Sequence, residues 1–381
     1  MDEREFDAVI DAVRALVREK VVPRETEIEE KDAVPRDLRD LAAAMGLFGY
    51  ALPAEYGGLG LGMSQDVRLA FELGYTTPAF RSMFGTNNGI AGQVLVRYGT
   101  EEQRREWLPR LAAGKCVASF ALTESEAGSD PSGLATRAVR GTDGYRVTGV
   151  KRFITNAPVA DLFVAFARTD PDATGSKGIS ALLVPADTPG VMVGPADHKM
   201  GQSGSWTAEV TFEDALVPHS ALVGGQEGEG FRSAMASIAQ GRLHIAALSV
   251  GQAQRALDEM VGYAAATRQG GQAIGGFQLV QAMIGDSQTE LYAGRAMTLE
   301  AARAFDSGEE QKVGPSAAKL FCTEMLGRVA DRAVQVHGGS GYMRGTTVER
   351  IFRDARAFRI YEGTSEIQRV VIAKHLLGAH R

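Results

Sequence analysis

The hydrophobic period of this chain changes twice, and that double change limits the folds open to it more than any other property. From Glu3 to about Leu111 apolar residues recur at helical spacing: Phe6, Val9, Ile10, Val13, Leu16 and Val17 follow i, i+3, i+4, i+7, and residues 38–45 and 67–73 repeat the pattern. Near Ala118 the texture becomes that of short strands, with residues 145–149, 162–166, 180–184 and 208–212 β-branched or aromatic and separated by Gly, Asp or Pro turns. After Gly230 the helical period returns in four long stretches, 231–268, 278–305, 317–336 and 365–377, joined by short loops. The expected architecture is multidomain α and β: an N-terminal α-helical domain (residues 1–117), a central antiparallel β-barrel-like domain (118–228) and a C-terminal four-helix bundle domain (229–381). There is no βαβ alternation and no G-x-G-x-x-G after a strand, so a dinucleotide would not bind in a Rossmann crevice.

Composition removes several function classes. The net charge is −6, with acidic and basic residues interspersed, so no basic stripe exists to displace the counterions of a nucleic acid. Cys116 and Cys322 lie far apart, which excludes a disulfide framework and a thiolate metal site; both read as buried small hydrophobes, and no metal is expected. The first residues are acidic and amphipathic, unlike a secretion signal. No uninterrupted apolar run is long enough to span a membrane, and a cytoplasmic address follows. Glycine, at 45 residues against 13 prolines, is in excess without a collagen period or a linker tract, so bare backbone is wanted inside ordered structure.

Four segments could carry chemistry. Ala121-Leu122-Thr123-Glu124-Ser125-Glu126-Ala127-Gly128-Ser129-Asp130-Pro131-Ser132-Gly133 reads as a strand end running into a turn rich in hydroxyls and acids. Its glycines would let another molecule approach the backbone, and an ordinary Asx or Ser turn is the plainer alternative. Phe153-Ile154-Thr155-Asn156 places an aromatic and a hydroxyl on one strand face, suited to a flat ring with a polar edge or to a β-core Phe beside a surface Thr. In Gln335-Val336-His337-Gly338-Gly339-Ser340-Gly341-Tyr342 a helix ends at Gly338, and the nearly naked backbone beyond it can offer N–H groups to a phosphate. Tyr361-Glu362-Gly363-Thr364-Ser365-Glu366-Ile367-Gln368 puts a carboxylate in a glycine-containing loop before a helix capped by Thr364 or Ser365.

Together, in this order and on this α, β, α background, the four segments closely resemble the acyl-CoA dehydrogenase family over nearly the whole chain. The resemblance implies a homotetramer (a dimer of dimers) with one FAD per subunit, the flavin lying between the β domain and the bundle. It implies that Phe120, Leu122 and Thr123 approach the flavin ring, that Ser129 helps hold FAD or the CoA of the substrate, and that Phe153, where the family often has Trp, and Thr155 cover the other face. Thr364 and Glu366 would meet the FAD near the base, and Gln335, Gly338 and Gly339 would bind the diphosphate and adenosine of a neighbouring subunit's FAD. Glu362, flanked by Tyr361 and Gly363 at the substrate, matches the catalytic base that takes the α-proton of an acyl thioester while a hydride leaves the β-carbon for flavin N5. The thioester carbonyl would accept from the FAD ribityl hydroxyl and from the base's own N–H, which stabilise the developing enolate.

Some family members carry the base on a bundle helix instead, immediately before an arginine. That arginine is matched by Arg242 and the residue before it is Gly241, so Glu362 is the sole candidate, with Arg242 orienting its loop or contacting CoA. The product would be a trans-2-enoyl-CoA and the electron acceptor an electron-transfer flavoprotein. An oxidase-like relative using dioxygen and a catalytically silent FAD-binding scaffold are the competing readings. Three departures stand out: Gly345 replaces an acidic or amide residue of the second signature, Gly270-Gly271-Gln272 replaces Phe-Gly after Arg268, which can still meet the FAD pyrophosphate, and Trp206 stands in a loop that often carries arginine. Arg81-Ser82 occupies the place of an arginine that meets the distal carboxylate in glutaryl-CoA dehydrogenases, whereas Gly85, Gly89 and Gly92 nearby would equally leave room for a branched or longer acyl chain.

Overall fold

The computed structural model describes residues 1–378. Seven helices come first: α1 (Glu3–Leu16), α2 (Glu25–Lys31), α3 (Arg36–Ala44), α4 (Met63–Leu73), α5 (Pro78–Asn88), α6 (Ile90–Tyr98) and α7 (Glu101–Ala112). The start of α7 is fixed by a reciprocal cap: Thr100 Oγ1 accepts from the Gln103 N–H at 3.3 Å, and Gln103 Oε1 accepts from the Thr100 N–H at 2.9 Å.

Seven strands follow: β1 (Ala118–Ala121), β2 (Arg137–Arg140), β3 (Tyr145–Thr155), β4 (Leu162–Arg168), β5 (Ile179–Pro185), β6 (Val191–Val193) and β7 (Thr207–Val217). They form one sheet in the order β1-β4-β2-β3-β7-β6, with β5 on the other edge of β4. The sheet is not wholly antiparallel as expected. Strand β1 runs parallel to β4, Ala118 opposite Leu162, and β2 meets the far end of the same edge in parallel at Arg137 and Arg168. One edge of β4 is thus shared end to end by two strands, which curls the sheet. This suits a strand buried on both faces: Leu162, Val164 and Phe166 join a core with Trp107, Leu108, Phe120 and Ala234, while Phe163, Ala165 and Ala167 join Tyr145, Ile154 and Phe212. Each fully buried Phe contributes roughly 2–3 kcal/mol, so β1, which leads into the 121–133 loop, is held firmly between helices and sheet.

The C-terminal part holds α8 (Gly230–Ala266), the two-residue strands β8 (Arg268–Gln269) and β9 (Gln272–Ala273), then α9 (Gln278–Asp306), α10 (Val313–His337), α11 (Gly339–Tyr342), α12 (Thr347–Phe358) and α13 (Ser365–Gly378). Helix α12 is absent from the four-helix expectation. Its buried stripe, Val348, Ile351, Ala355 and Phe358, is regular, but ion-paired Glu349, Arg350 and Arg353 hide the period between them. Helix α10 begins four residues earlier than its apolar pattern because the Glu310 carboxylate accepts the N–H groups of Lys312, Val313 and Gly314. The backbone after Gly338 is not naked, since it folds at once into the single turn of α11.

The N-terminal helices do not close a core of their own. Phe71, Phe80 and Phe84 pack in one cluster with Leu243, Leu248, Met325 and Phe358 of α8, α10 and α12. Helices α4 and α8 touch backbone to backbone: a methyl group on Gly251 would lie 2.4 Å from the Phe71 carbonyl oxygen. That contact sets α4 and α5 beside the middle of α8, where the site lies. Among the described residues no helix is long and apolar enough to cross a membrane, and no group of three or more His, Cys, Asp or Glu is placed to hold a metal. Both cysteines are buried, and burial pushes each thiol up to about 12.

Candidate active site

The loop between α12 and α13 presents Glu362 on left-handed backbone, φ 54°, a conformation that a non-glycine residue keeps only when its surroundings enforce it. The enforcement is visible. Gln368 Nε2 donates to the Glu362 and Gly363 carbonyls at 3.0 and 2.9 Å, and Lys319 Nζ of α10 donates to the Gly363 carbonyl at 2.8 Å. Thr364, in the N-cap position of α13, accepts the Gln368 N–H on its carbonyl and the Ile367 N–H on its hydroxyl, and Glu366 is exposed in the first turn. Tyr361, half-buried, accepts a hydrogen bond from Gln202 Nε2 on its hydroxyl at 3.3 Å.

The Glu362 carboxylate is aimed at α8. A methyl group on Gly241 would lie 2.9 Å from its Oε2 and 3.1 Å from its Cδ, so the carboxylate fills the space a side chain at 241 would take. Oε2 is shut off from solvent and has no hydrogen-bond partner. Among the described residues nothing accepts the Glu362 N–H either. Burial lifts the carboxyl to about 7, although Arg81, Arg242 and Lys319, in that order, pull it down. Arg242 donates through Nη1 to Ser316 Oγ at 3.1 Å, and its buried Nε is unpartnered; burial lowers it against the pull of Glu362. Burial likewise lowers Lys319 to about 8.

Arg81 stands on α5 and reaches α8. Its Nε donates to His244 Nε2 at 2.6 Å, and His244 Nδ1 lies 2.8 Å from Asp66 Oδ1. A guanidinium can only donate, so His244 Nε2 must be bare and Nδ1 must carry the proton that Asp66 accepts. Burial and Arg81 both lower His244, in keeping with a neutral ring.

A second surface forms where β1 meets β3. Phe120 and Leu122 are buried, Phe120 against Phe166 at 4.7 Å between ring centres, and Thr123 is half-exposed. The Thr123 carbonyl accepts from the Arg152 N–H at 2.9 Å. Between Lys151 and Ile154 strand β3 bulges, and Phe153 at φ 57° turns its ring outward, 61% exposed, with half-buried Thr155 beyond it on the same face. Beneath the loop, Lys151 is fully buried and pairs with Glu124 at 2.7 Å, whose carboxylate also accepts the Ala135 and Thr136 N–H groups. Ser129 is exposed beside Gly128, around which there is open space.

Arg268, Gln335, Gly338 and Gly339 are exposed, and no hydrogen bond joins them to either surface. The replaced Phe-Gly box is a β8–β9 hairpin turning on Gly270 and Gly271 at φ 57° and 83°, with Arg268 Nη2 donating to the Gly271 carbonyl at 3.2 Å. Trp206 has a concrete role: its Nε1 donates to the Asp32 carbonyl at 2.6 Å and fastens the 202–206 loop to the end of α2. Lys319, Gln202, Asp66 and His244 were not anticipated, and Gln368 was named only as the last residue of the 361–368 segment, not for its hold on the Glu362 and Gly363 carbonyls. Lys319 alone left a trace, as a lysine at helical spacing from buried Ser316, Cys322, Thr323 and Leu326.

The Glu362 carboxylate is thus shut from solvent and unpartnered at Oε2, of raised affinity for protons, and faces the bare turn of α8 at Gly241. Comparison with known proteins names the class. Residues 3–115, 119–215 and 228–377 match, respectively, the N-terminal, middle and C-terminal domains of acyl-CoA dehydrogenase. An acyl-CoA dehydrogenase of Bacillus subtilis is 37% identical over 366 residues, covering 96% of each chain. The caffeyl-CoA reductase–Etf complex subunit CarC of Acetobacterium woodii is 39% identical over 351 residues, covering 92% of each. The crystal structure of acyl-CoA dehydrogenase from Geobacillus kaustophilus superposes with a TM-score of 0.94 at 34% identity, over 99% of this chain and 98% of that one. The chain belongs to the acyl-CoA dehydrogenase family and is an oxidoreductase of the FAD-binding kind. Its residues fit that group: the bulge turns Phe153 outward, 61% exposed, with the Arg152 guanidinium 5.2 Å from its ring centre, so an aromatic surface is open to a flat ring.

Proposed function

We propose that this enzyme dehydrogenates an acyl-CoA thioester across Cα–Cβ to a trans-2-enoyl-CoA, with Glu362 taking the α-proton on Oε2, and that the electrons pass to an electron-transfer flavoprotein. The observation that carries the reading is the Glu362 carboxylate, buried without a partner yet lifted only to about 7, which matches a base to neutral working conditions. Bound FAD supplies the acceptor for the β-hydride. Phe120, Leu122, Thr123, Phe153 and Thr155 would hold its ring system, with Ser129, Arg268, Thr364 and Glu366 along its polar part and Gln335, Gly338 and Gly339 reaching the FAD of a neighbouring subunit. The Glu362 N–H, free of protein acceptors, would donate to the thioester carbonyl, where negative charge develops as the proton leaves. Tyr361, Gly363 and Ser129 border the substrate, and Arg242 steadies the base loop from α8.

A homotetramer supports this division of the FAD site between subunits, and exposed apolar side chains on the C-terminal helices, Leu279, Tyr292, Tyr342 and Leu377 among them, favour such an assembly. The test is bleaching of the flavin absorbance by a panel of acyl-CoA thioesters. The expected result is bleaching by at least one thioester that Glu362→Gln abolishes; no bleaching across the panel refutes the reading and favours a silent scaffold. Hydrogen peroxide release without an added acceptor would favour the oxidase.

A second reading, reduction of an enoyl-CoA, is favoured by the reductase relative and by the same proton affinity: near pH 7 Glu362 is populated in both forms and can return a proton to Cα as readily as take one. Product formation from an enoyl-CoA and a reduced acceptor, faster than the forward reaction, would establish it.

A further inference from the structure

Glu362 and the aromatic surface at Phe153 come from distant parts of the chain, the first on the α12–α13 loop and the second on β3. Taking a proton from one face of Cα–Cβ while a hydride leaves the other requires a fixed gap between them. Among the described residues no hydrogen bond joins residues 153–156 directly to residues 361–364. The 201–206 loop, between β6 and β7, reaches both.

At one end this loop belongs to the sheet. Thr207 opens β7 opposite Thr155, and the Trp206 carbonyl accepts the Asn156 N–H at 2.8 Å. At the other end it grips the base loop. Gln202 is buried; its Nε2 donates to the Tyr361 hydroxyl at 3.3 Å and to the Asp354 carbonyl at 3.2 Å, and its N–H donates to Asp354 Oδ1. Among the described residues no other group bonds the Tyr361 hydroxyl, and Tyr361 directly precedes the base. Between the two ends the Ser205 N–H donates to the Gln202 carbonyl at 3.1 Å, and Ser205 Oγ donates to Ser82 Oγ of α5 at 2.6 Å, which removes slack from the span.

The grip is built under constraint. Gln202 stands at φ 58°, backbone that a residue with a side chain keeps only where its surroundings over-determine it. Gly201 lets it close on α12, since a methyl group there would lie 2.7 Å from both the Arg353 carbonyl carbon and Asp354 Oδ1. A plug that served only to fill the space under α12 would have no use for the Tyr361 hydroxyl, yet the Gln202 amide spans from one to the other.

We propose that the 201–206 loop is the spacer of the active site, and that Gln202 is a positioning residue which sets the distance between the Glu362 carboxylate and the flavin surface through Tyr361. This rests on the acyl-CoA dehydrogenation reading and names how its two reacting faces are held in register.

The experiment uses the FAD-loaded enzyme and any acyl-CoA that bleaches the wild-type flavin, and follows the saturating bleaching rate against pH. Gln202→Ala should lower the plateau about 10- to 100-fold, with flavin content and KM little changed and the pH limb where the wild type has it. Tyr361→Phe deletes the same bond from its other side at the cost of one atom, and serves if Gln202→Ala folds poorly; its plateau should fall as well. The double variant should be slower than the worse single by no more than about twofold. Losses that multiply, or a pH limb that moves while the plateau holds, would overturn the inference, since the two residues would then act apart or on the proton affinity of Glu362. An unchanged plateau in both single variants would overturn the spacer and leave the dehydrogenation reading intact; absence of bleaching in the wild type across all thioesters would overturn both.

Discussion

Replacing Gly241 with alanine should damage catalysis without damaging the fold. The new methyl group would stand 2.9 Å from Glu362 Oε2 and 3.3 Å from Ile90 Cγ2. Carbon and oxygen in ordinary contact sit near 3.5 Å, so the carboxylate must retreat by about 0.5 Å. It is the free end of a side chain and can do so at little cost, while alanine in the middle of α8 gains about 0.5–1 kcal/mol over glycine. Stability should stay level or rise. The reacting geometry has no such slack: a misplacement of about 1 Å is worth roughly 100-fold, so the rate of flavin bleaching should fall between about 10- and 100-fold, with flavin content unchanged. Gly262→Ala is the internal control, on the same helix with nothing within 4 Å of the added methyl; it should gain the same helix stability and bleach at the wild-type rate. Rapid mixing with an acyl-CoA and thermal unfolding of the two variants decide the matter. Equal bleaching rates in both, or a stability loss in Gly241→Ala large enough to explain its rate, would refute the placement of the carboxylate.

The pH dependence carries a sign on two observables. The rate of α-proton removal should climb with pH and level off above about 7, where Glu362 is ionised, and Glu362→Gln should erase the limb. Between the ordinary carboxyl value, 4.5, and about 7 the folded state holds a proton that the unfolded chain releases, so stability should fall as pH rises through that window. The fall is at most about 3 kcal/mol and is absent in Glu362→Gln. Lys319→Met removes one of the three cations and the tether to the Gly363 carbonyl, so the rate limb should move to higher pH and the plateau drop about 10-fold, read from the same profile. Lys151→Met strands the Glu124 carboxylate beneath the 121–133 loop; a loss of about 3–5 kcal/mol in denaturant unfolding is expected, with faster release of flavin.

What could be read ahead of the structure depended on how local each feature was. Tyr361, Glu362, Gly363 and Thr364 are consecutive, so the segment could be singled out as a unit, whereas the grip on its backbone comes in part from Lys319 on distant α10. The Thr100 cap was legible too, since it needs only Gln103. Asp66, His244 and Arg81 are 15 to 178 positions apart and meet only because Gly74 and Gly251 let α4 and α8 approach; no spacing along the chain encodes that. The meaning of Gly241 was half legible: an alternative base is absent there, but that the glycine makes room for Glu362 itself depends on where the α12–α13 loop lands. Helix α12 was hidden for a different reason, because the ion pairs that bind it to Glu25 and Glu29 of α2 supply the charges that mask its apolar stripe.

Three cations around one carboxylate look unfavourable for a base, since each stabilises the ionised form and weakens it. Burial and the absence of any hydrogen bond to Oε2 act the other way and win, leaving the group near 7. The gain comes when the proton moves. In the dehydrogenation proposed above, negative charge would pass from Glu362 to the thioester carbonyl without leaving the pocket, and cations held in place by Ser316, Gly363 and His244 would attract it at its destination with no reorganisation. Removing a cation therefore strengthens the base and weakens the stabilisation of its product. This is why the pH limb and the plateau of a Lys319 variant should move in opposite senses, a combination that simple loss of the base or simple unfolding would not produce.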